Sequence, residues 1–174
     1  KQALAERTPY GRWATLRAPW FGLISTVAKA AALQEQTNTG KVGSALTAAR
    51  KLVDSDRDQA LANEARFVVQ TIEAWIAKAQ AIAADASAAG DLLTVGLIAE
   101  GMADLLRGSP EGDAAKDLLK TTASEAAYKT GRSFHDIWRK TWGTDPAIQR
   151  KTLEAWLAKN GEGYWAEQAR DWLK

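Results

Sequence analysis

Two strings decide the fold. DAAKDLLK, residues 113–120, returns near the end of the chain as EQARDWLK, residues 167–174, and both close on Asp-x-Leu-Lys. Superposing them takes a shift of 54 residues, which also sets Met102 on Trp156 and Ala99 on Leu153. A shift of 50 residues sets Ala65-Arg66 on Ala115-Lys116, Leu52 on Met102 and Ala49 on Ala99. The chain therefore reads as three versions of one unit, each a shorter first helix (about 41–53, 91–107 and 146–159) followed by a second helix beginning near 58, 110 and 163. The matched alanines Ala65, Ala115 and Ala169 suit a close crossing, because a bulkier side chain would push the two backbones apart. A base follows each of them and stays in solvent.

Punctuation supports the helices. Ser109-Pro110-Glu111 supplies a cap, a proline at the first helical position and an acid at the positive end of the dipole, and Asp145-Pro146 repeats the first two elements. Gly90-Asp91 ends one apolar pattern and caps the next. Leu61, Ala65, Val68, Ile72, Trp75, Ala79 and Ile82 alternate in steps of three and four, which predicts a long helix over about 58–88. Leu92, Val95, Ala99, Met102 and Leu106, widened by Leu93, Leu97, Ile98 and Leu105, predict a central helix covered on both sides. Trp20, Ile24, Val27, Ala28 and Ala31 predict an opening helix after Pro19. The helix from Pro110 reaches toward Gly131, which either bends it or divides it from the segment carrying Phe134, Ile137, Trp138 and Trp142.

Composition agrees with an all-α fold. The 174 residues suffice for one domain with its own core, alanine is abundant, and there are only four prolines. There is no cysteine, which excludes disulfides and thiol chemistry within this chain and is compatible with an oxidising compartment. The net charge of +2 conceals an uneven spread. Residues 1–52 carry eight bases and two acids, residues 53–125 six and thirteen, and residues 126–174 nine and six. No basic stripe runs along a single element, so nucleic acid is not the expected partner. No apolar run approaches the roughly 20 residues that span a bilayer. The chain opens on Lys1 rather than Met, as a processed or excised form would.

Gly90-Asp91, an apolar helix, Gly108-Ser109-Pro110 and Ala114-Ala115-Lys116-Asp117-Leu118-Leu119 resemble the tetratricopeptide-like repeats of bacterial envelope proteins. The pattern is also similar to helical regions that follow thioredoxin-like domains in some secreted bacterial proteins. The resemblance spans about 40–174, leaving 1–39 as an N-terminal Trp/Arg-containing arm with the first helix. It implies an α-solenoid of about three antiparallel helical hairpins (about 40–89, 90–143 and 144–174) that binds or scaffolds another protein or peptide in the periplasm or outside the cell. It implies no enzyme activity and no cofactor. The period of about 50 and the extended second helices depart from strict tetratricopeptide form. An accessory helical domain of a larger thioredoxin-like secreted protein, and a tryptophan-based glycan-binding module, are the alternatives.

Candidate chemistry is sparse. Ser133-Phe134-His135-Asp136 puts a nucleophile, an imidazole and a carboxylate side by side, but neighbours along a helix point apart, so Ser133 reads as a helix cap and His135 as half-exposed. Asp54, Asp56 and Asp58 imitate the start of a calcium loop, yet its sixth and twelfth positions are Gln59 and Ala65, so no metal site follows and Asp58 reads as a cap. Gly96 reads as a close helix contact. Of the eight tryptophans, Trp75, Trp138, Trp142, Trp156, Trp165 and Trp172 have core spacing. Tyr10, Arg12, Trp13, Arg17 and Trp20 mingle aromatic and basic groups without periodicity, and form the candidate partner contact, since such residues dominate binding hot spots.

Overall fold

The computed structural model describes residues 18–53, 58–141 and 143–174. Among these residues the chain is all-α, with eight helices and no strand: α1 (Ala28–Asn38), α2 (Val42–Val53), α3 (Gln59–Ala88), α4 (Leu92–Leu105), α5 (Pro110–Ser124), α6 (Ala126–Thr141), α7 (Pro146–Leu157) and α8 (Tyr164–Leu173).

The starts follow their caps. Asp58 accepts a hydrogen bond from the Leu61 amide at 3.0 Å, Asp91 from Thr94 at 3.1 Å, Ser109 from Gly112 at 3.2 Å and Asp145 from Ala147 at 2.7 Å. Each satisfies an amide that the first helical turn leaves unpaired. Two of the stops share one geometry. Gly40 and Gly90 have φ of +85° and +77°, and the following amides, of Lys41 and Asp91, each reach back 2.8 Å to the carbonyls of Gln36 and Ala86. Glycine enters this left-handed turn without a steric penalty, which closes the helix and redirects the chain into its neighbour.

Successive helices pair: α1 and α2 pack together, then α2 and α3, α3 and α4, α4 and α5, and α7 and α8, while α6 packs on α4, α5, α7 and α8. The spacing of starts echoes the sequence shifts. Val42 and Leu92 open α2 and α4, 50 residues apart; Leu92 and Pro146 open α4 and α7, and Pro110 and Tyr164 open α5 and α8, 54 residues apart in both cases. Ala65, Ala115 and Ala169 are all buried, whereas the bases after them, Arg66, Lys116 and Arg170, are exposed.

Two hydrophobic cores meet at α4. The first is aliphatic, built from Leu33, Val42, Leu46, Val68, Ile72, Ile98, Met102 and their neighbours, with Trp75 at its edge. The second is aromatic: Phe134 lies 5.3 Å from Trp156 and 5.0 Å from Trp165, ring centre to ring centre, and Leu93, Leu153 and Ala169 complete it. Helix α4 serves both because Leu93 and Leu97 lie on one of its faces and Ile98 and Met102 on the other. The expectation of a central helix covered on both sides is met.

Three expectations are corrected. The opening helix starts at Ala28, and Trp20 and Ile24 sit on no helical stripe; residues 18–27 form a non-helical loop. Side chains of α1 hold that loop. Asn38 bonds both backbone groups of Phe21 (2.7 and 2.9 Å), and Gln34 accepts from the Ser25 amide at 2.6 Å. Phe21 then buries its ring edge-on against Phe67, 5.8 Å away. Gly131 neither bends nor divides a helix. The break falls at Glu125, whose ψ of 139° leaves helical geometry, and Gly131 lies buried inside α6. Late in α3 the expected stripe keeps Ile82, half-buried against the aliphatic core, and widens to buried Ala83 and Ala86. Finally, His135 is buried rather than half-exposed, and Ser133 lies within α6 rather than at its cap.

Candidate functional site

Most of the proposed contact set lies outside the described residues: Tyr10, Arg12, Trp13 and Arg17 fall there, as do Asp54 and Asp56 of the acidic turn and Trp142. Trp20 is described and stands 70% exposed, with Leu23 at 91% and Ile24 also in solvent. These side chains belong to the loop that Asn38 and Gln34 pin to α1, so the structure holds an exposed apolar tip in a fixed position. Buried Phe21 is the anchor of the loop and Trp20 is its free face.

A second feature was not foreseen. The C-terminal half of α3 and the outer face of α5 stand on either side of α4 and enclose an open groove of about 540 Å³. Its floor is Val95, Ile98 and Met102. One wall is Gln80, Ala83, Ala84 and Ser87, spaced three and four apart on α3, and the other is Pro110, Glu111, Ala114, Ala115 and Leu118 on α5. Small side chains on the walls are what leave the space open. The sequence signal is the alanine-rich end of α3, where the apolar stripe continues with short side chains that leave room beside them.

Ionic contacts tie α3 and α5 to α2. The Arg50 guanidinium reaches Glu73 of α3 at 2.8 Å with one nitrogen and Glu111 of α5 at 2.7 Å with another. All three side chains retain some solvent, so each bridge contributes about 1 kcal/mol or less and acts chiefly to position its partners. The bond to Glu73, partly offset by burial and reinforced by Glu111, raises the Arg50 pKa further. Burial pushes the Glu111 carboxyl up, but hydrogen bonds from its own backbone amide and from Arg50 outweigh that, leaving it below the usual carboxylate range. Glu111 is therefore ionised at neutral pH. One of its oxygens faces Arg50, and Ser109 at the start of α5 supports the carboxylate as well.

The only histidine lies elsewhere. His135 is 5% exposed, its Nδ1 3.9 Å from the adjacent Asp136, and burial, reinforced by Arg132 and Arg139 against the opposing pull of Asp136, holds its pKa below 6.5. Ser133 accepts a hydrogen bond from the Trp156 indole at 3.1 Å, so its hydroxyl is engaged with the aromatic core. Among the described residues no group of His, Asp and Glu is placed to hold a metal ion, and no helix is long and apolar enough to cross a membrane. Trp138 and Trp172, 3.8 Å apart between ring centres, border a smaller hollow of about 160 Å³ with Gln149 and Arg150. Compared with known protein families, curated proteins and solved structures, the chain matches none.

Proposed function

We propose that the chain is a tetratricopeptide-like array of helical hairpins that binds or positions another protein or peptide in the bacterial cell envelope, without catalysis of its own. The open apolar groove over α4 carries this reading. A hydrophobic cleft of several hundred Å³ with a few placed polar groups is the usual form of a binding site. Helix starts recurring at 50 and 54 residues, the shared glycine turn at Gly40 and Gly90, and the three buried alanines support the repeat part of the reading. Exposed Trp20 supports an N-terminal contact surface. The lack of cysteine is compatible with an envelope location.

Affinity capture from an envelope extract of the producing cell tests the reading. One partner retained by the full chain and lost with Trp20→Ala supports a role for the loop, and a captured set identical for both removes it. The exposed indole of Trp20 favours a second reading, a glycan-binding module that stacks a sugar on it. Titration with oligosaccharides, followed by tryptophan emission and calorimetry, decides it: no heat and no emission change excludes the module.

A further inference from the structure

The groove has an apolar floor and one charged side chain in its lining, Glu111, which bonds Arg50 of α2. Its polar lining is limited to Gln80, Ser87 and Glu111. An extended peptide laid on that floor would bury backbone amides and carbonyls with few groups to meet them, at a cost of about 1–3 kcal/mol for each one left unpaired. A helix satisfies its own backbone and presents only side chains, in steps of three and four that match walls built with the same steps. Among the described residues there is no strand edge to which an extended segment could add.

Charge narrows the partner further. From Asp58 to Glu125, the stretch that forms α3, α4 and α5, eleven side chains are acidic and five basic, and Arg50 of α2, which bridges Glu73 and Glu111, brings the local balance to −5. Such a surface draws in cationic segments and repels anionic ones. Glu111, with 23% of its side chain exposed, sits within this field at the groove wall. We propose that the groove receives one basic amphipathic helix of a partner protein, its apolar edge on Val95, Ile98 and Met102 and a lysine or arginine of its flank paired with Glu111. This assignment rests on the protein-binding reading and gives it a place and a partner chemistry.

The test uses the full chain and a labelled synthetic helix of leucine and lysine about five turns long, with its leucines on one face, titrated by fluorescence anisotropy at physiological ionic strength. A second peptide replaces every lysine by glutamate. Ala84→Trp combined with Ala114→Trp fills the groove from exposed positions on both walls without changing charge. The expected result is saturable one-to-one binding of the lysine peptide, weakened about tenfold or more in the double variant and in the glutamate peptide. Leu118→Arg, at a half-exposed lining position, weakens the lysine peptide similarly and serves if the double variant loses its helical circular dichroism.

Unchanged affinity in these variants overturns the proposal, because attraction to the acidic surface alone would then suffice. Equal binding of the glutamate peptide overturns it as well. So does self-association that the groove variants abolish, which would make a second copy the occupant, or groove-dependent binding of dodecylamine with the peptide inert, which would make it a small amphiphile. An envelope partner whose capture ignores the groove variants overturns the groove assignment and leaves the protein-binding reading standing. Peptide binding in the groove with no partner in the extract does the reverse.

Discussion

At the scale of single residues, Gly131 shows how a position can be read as punctuation and serve as packing. A β-carbon there would lie 2.7 Å from the Trp165 indole nitrogen and 2.8 Å from the Leu93 β-carbon, so α6 approaches α4 and α8 too closely for any side chain. Gly131→Ala gains helix propensity of about 1 kcal/mol but forces Trp165 or the helices to move, at a cost of about 1–3 kcal/mol. Chemical denaturation is expected to show a net loss of stability, with little change in denaturant sensitivity. The bordering residues of this contact are 38 positions before and 34 after the glycine, which is why local sequence could not distinguish a bend from a crossing. Gly96, by contrast, was legible as a close contact, and a β-carbon there would run into the Tyr128 ring.

His135 offers a pH prediction at the same scale. Its folded pKa lies below its ordinary value of 6.5, so the unfolded chain binds the proton more readily. The stabilisation is complete above 6.5 and declines as pH falls from there through the folded pKa. His135→Gln is therefore expected to flatten the fall in melting temperature between about pH 7 and 5, the range above most carboxylate titrations. An equally steep fall in the variant would assign that dependence to other groups.

At the scale of elements, the caps were the most legible feature. Asp58, Asp91, Ser109 and Asp145 bond the amides that their positions predict, because capping depends on residues two or three apart and on nothing more distant. Asp91 is buried and also accepts from the Thr94 hydroxyl at 2.6 Å. Asp91→Ala is expected to cost about 1–2 kcal/mol in denaturant titrations, more than the same change at exposed Asp145. The first helix was less legible. Apolar spacing over 20–31 imitated a helical stripe, but Asn38 and Gln34 bond the 18–27 backbone into a loop, and those bonds span up to 17 residues. The groove was illegible for a related reason. It consists of space that alanines leave between α3 and α5, and a missing contact has no periodicity.

At the scale of the whole molecule, α4 joins an aliphatic core to an aromatic one, so the two halves share a wall. Trp165→Ala, in the aromatic core, is expected to cost about 3–5 kcal/mol and to lower the melting temperature of the helical signal as a whole. A separate early transition confined to near-ultraviolet tryptophan signals would mean instead that the halves unfold independently. Helix starts recur at intervals of 50 and 54 residues, yet α6 is an additional helix with no counterpart between the first and second pairs. A regular array would place the aromatic core directly on α5; here the α7 and α8 pair rests on α6.

The central claim is that the space over α4 is a docking site for a protein. A photoreactive phenylalanine analogue placed at position 114 on the groove wall, with position 147 on exposed α7 as control, tests it most directly in the producing cell. Illumination is expected to join one protein to the chain through position 114 and not through 147, and proteolytic mapping is expected to place the link in a basic amphipathic helix. No adduct from position 114, or the same adducts from both positions, would contradict the claim.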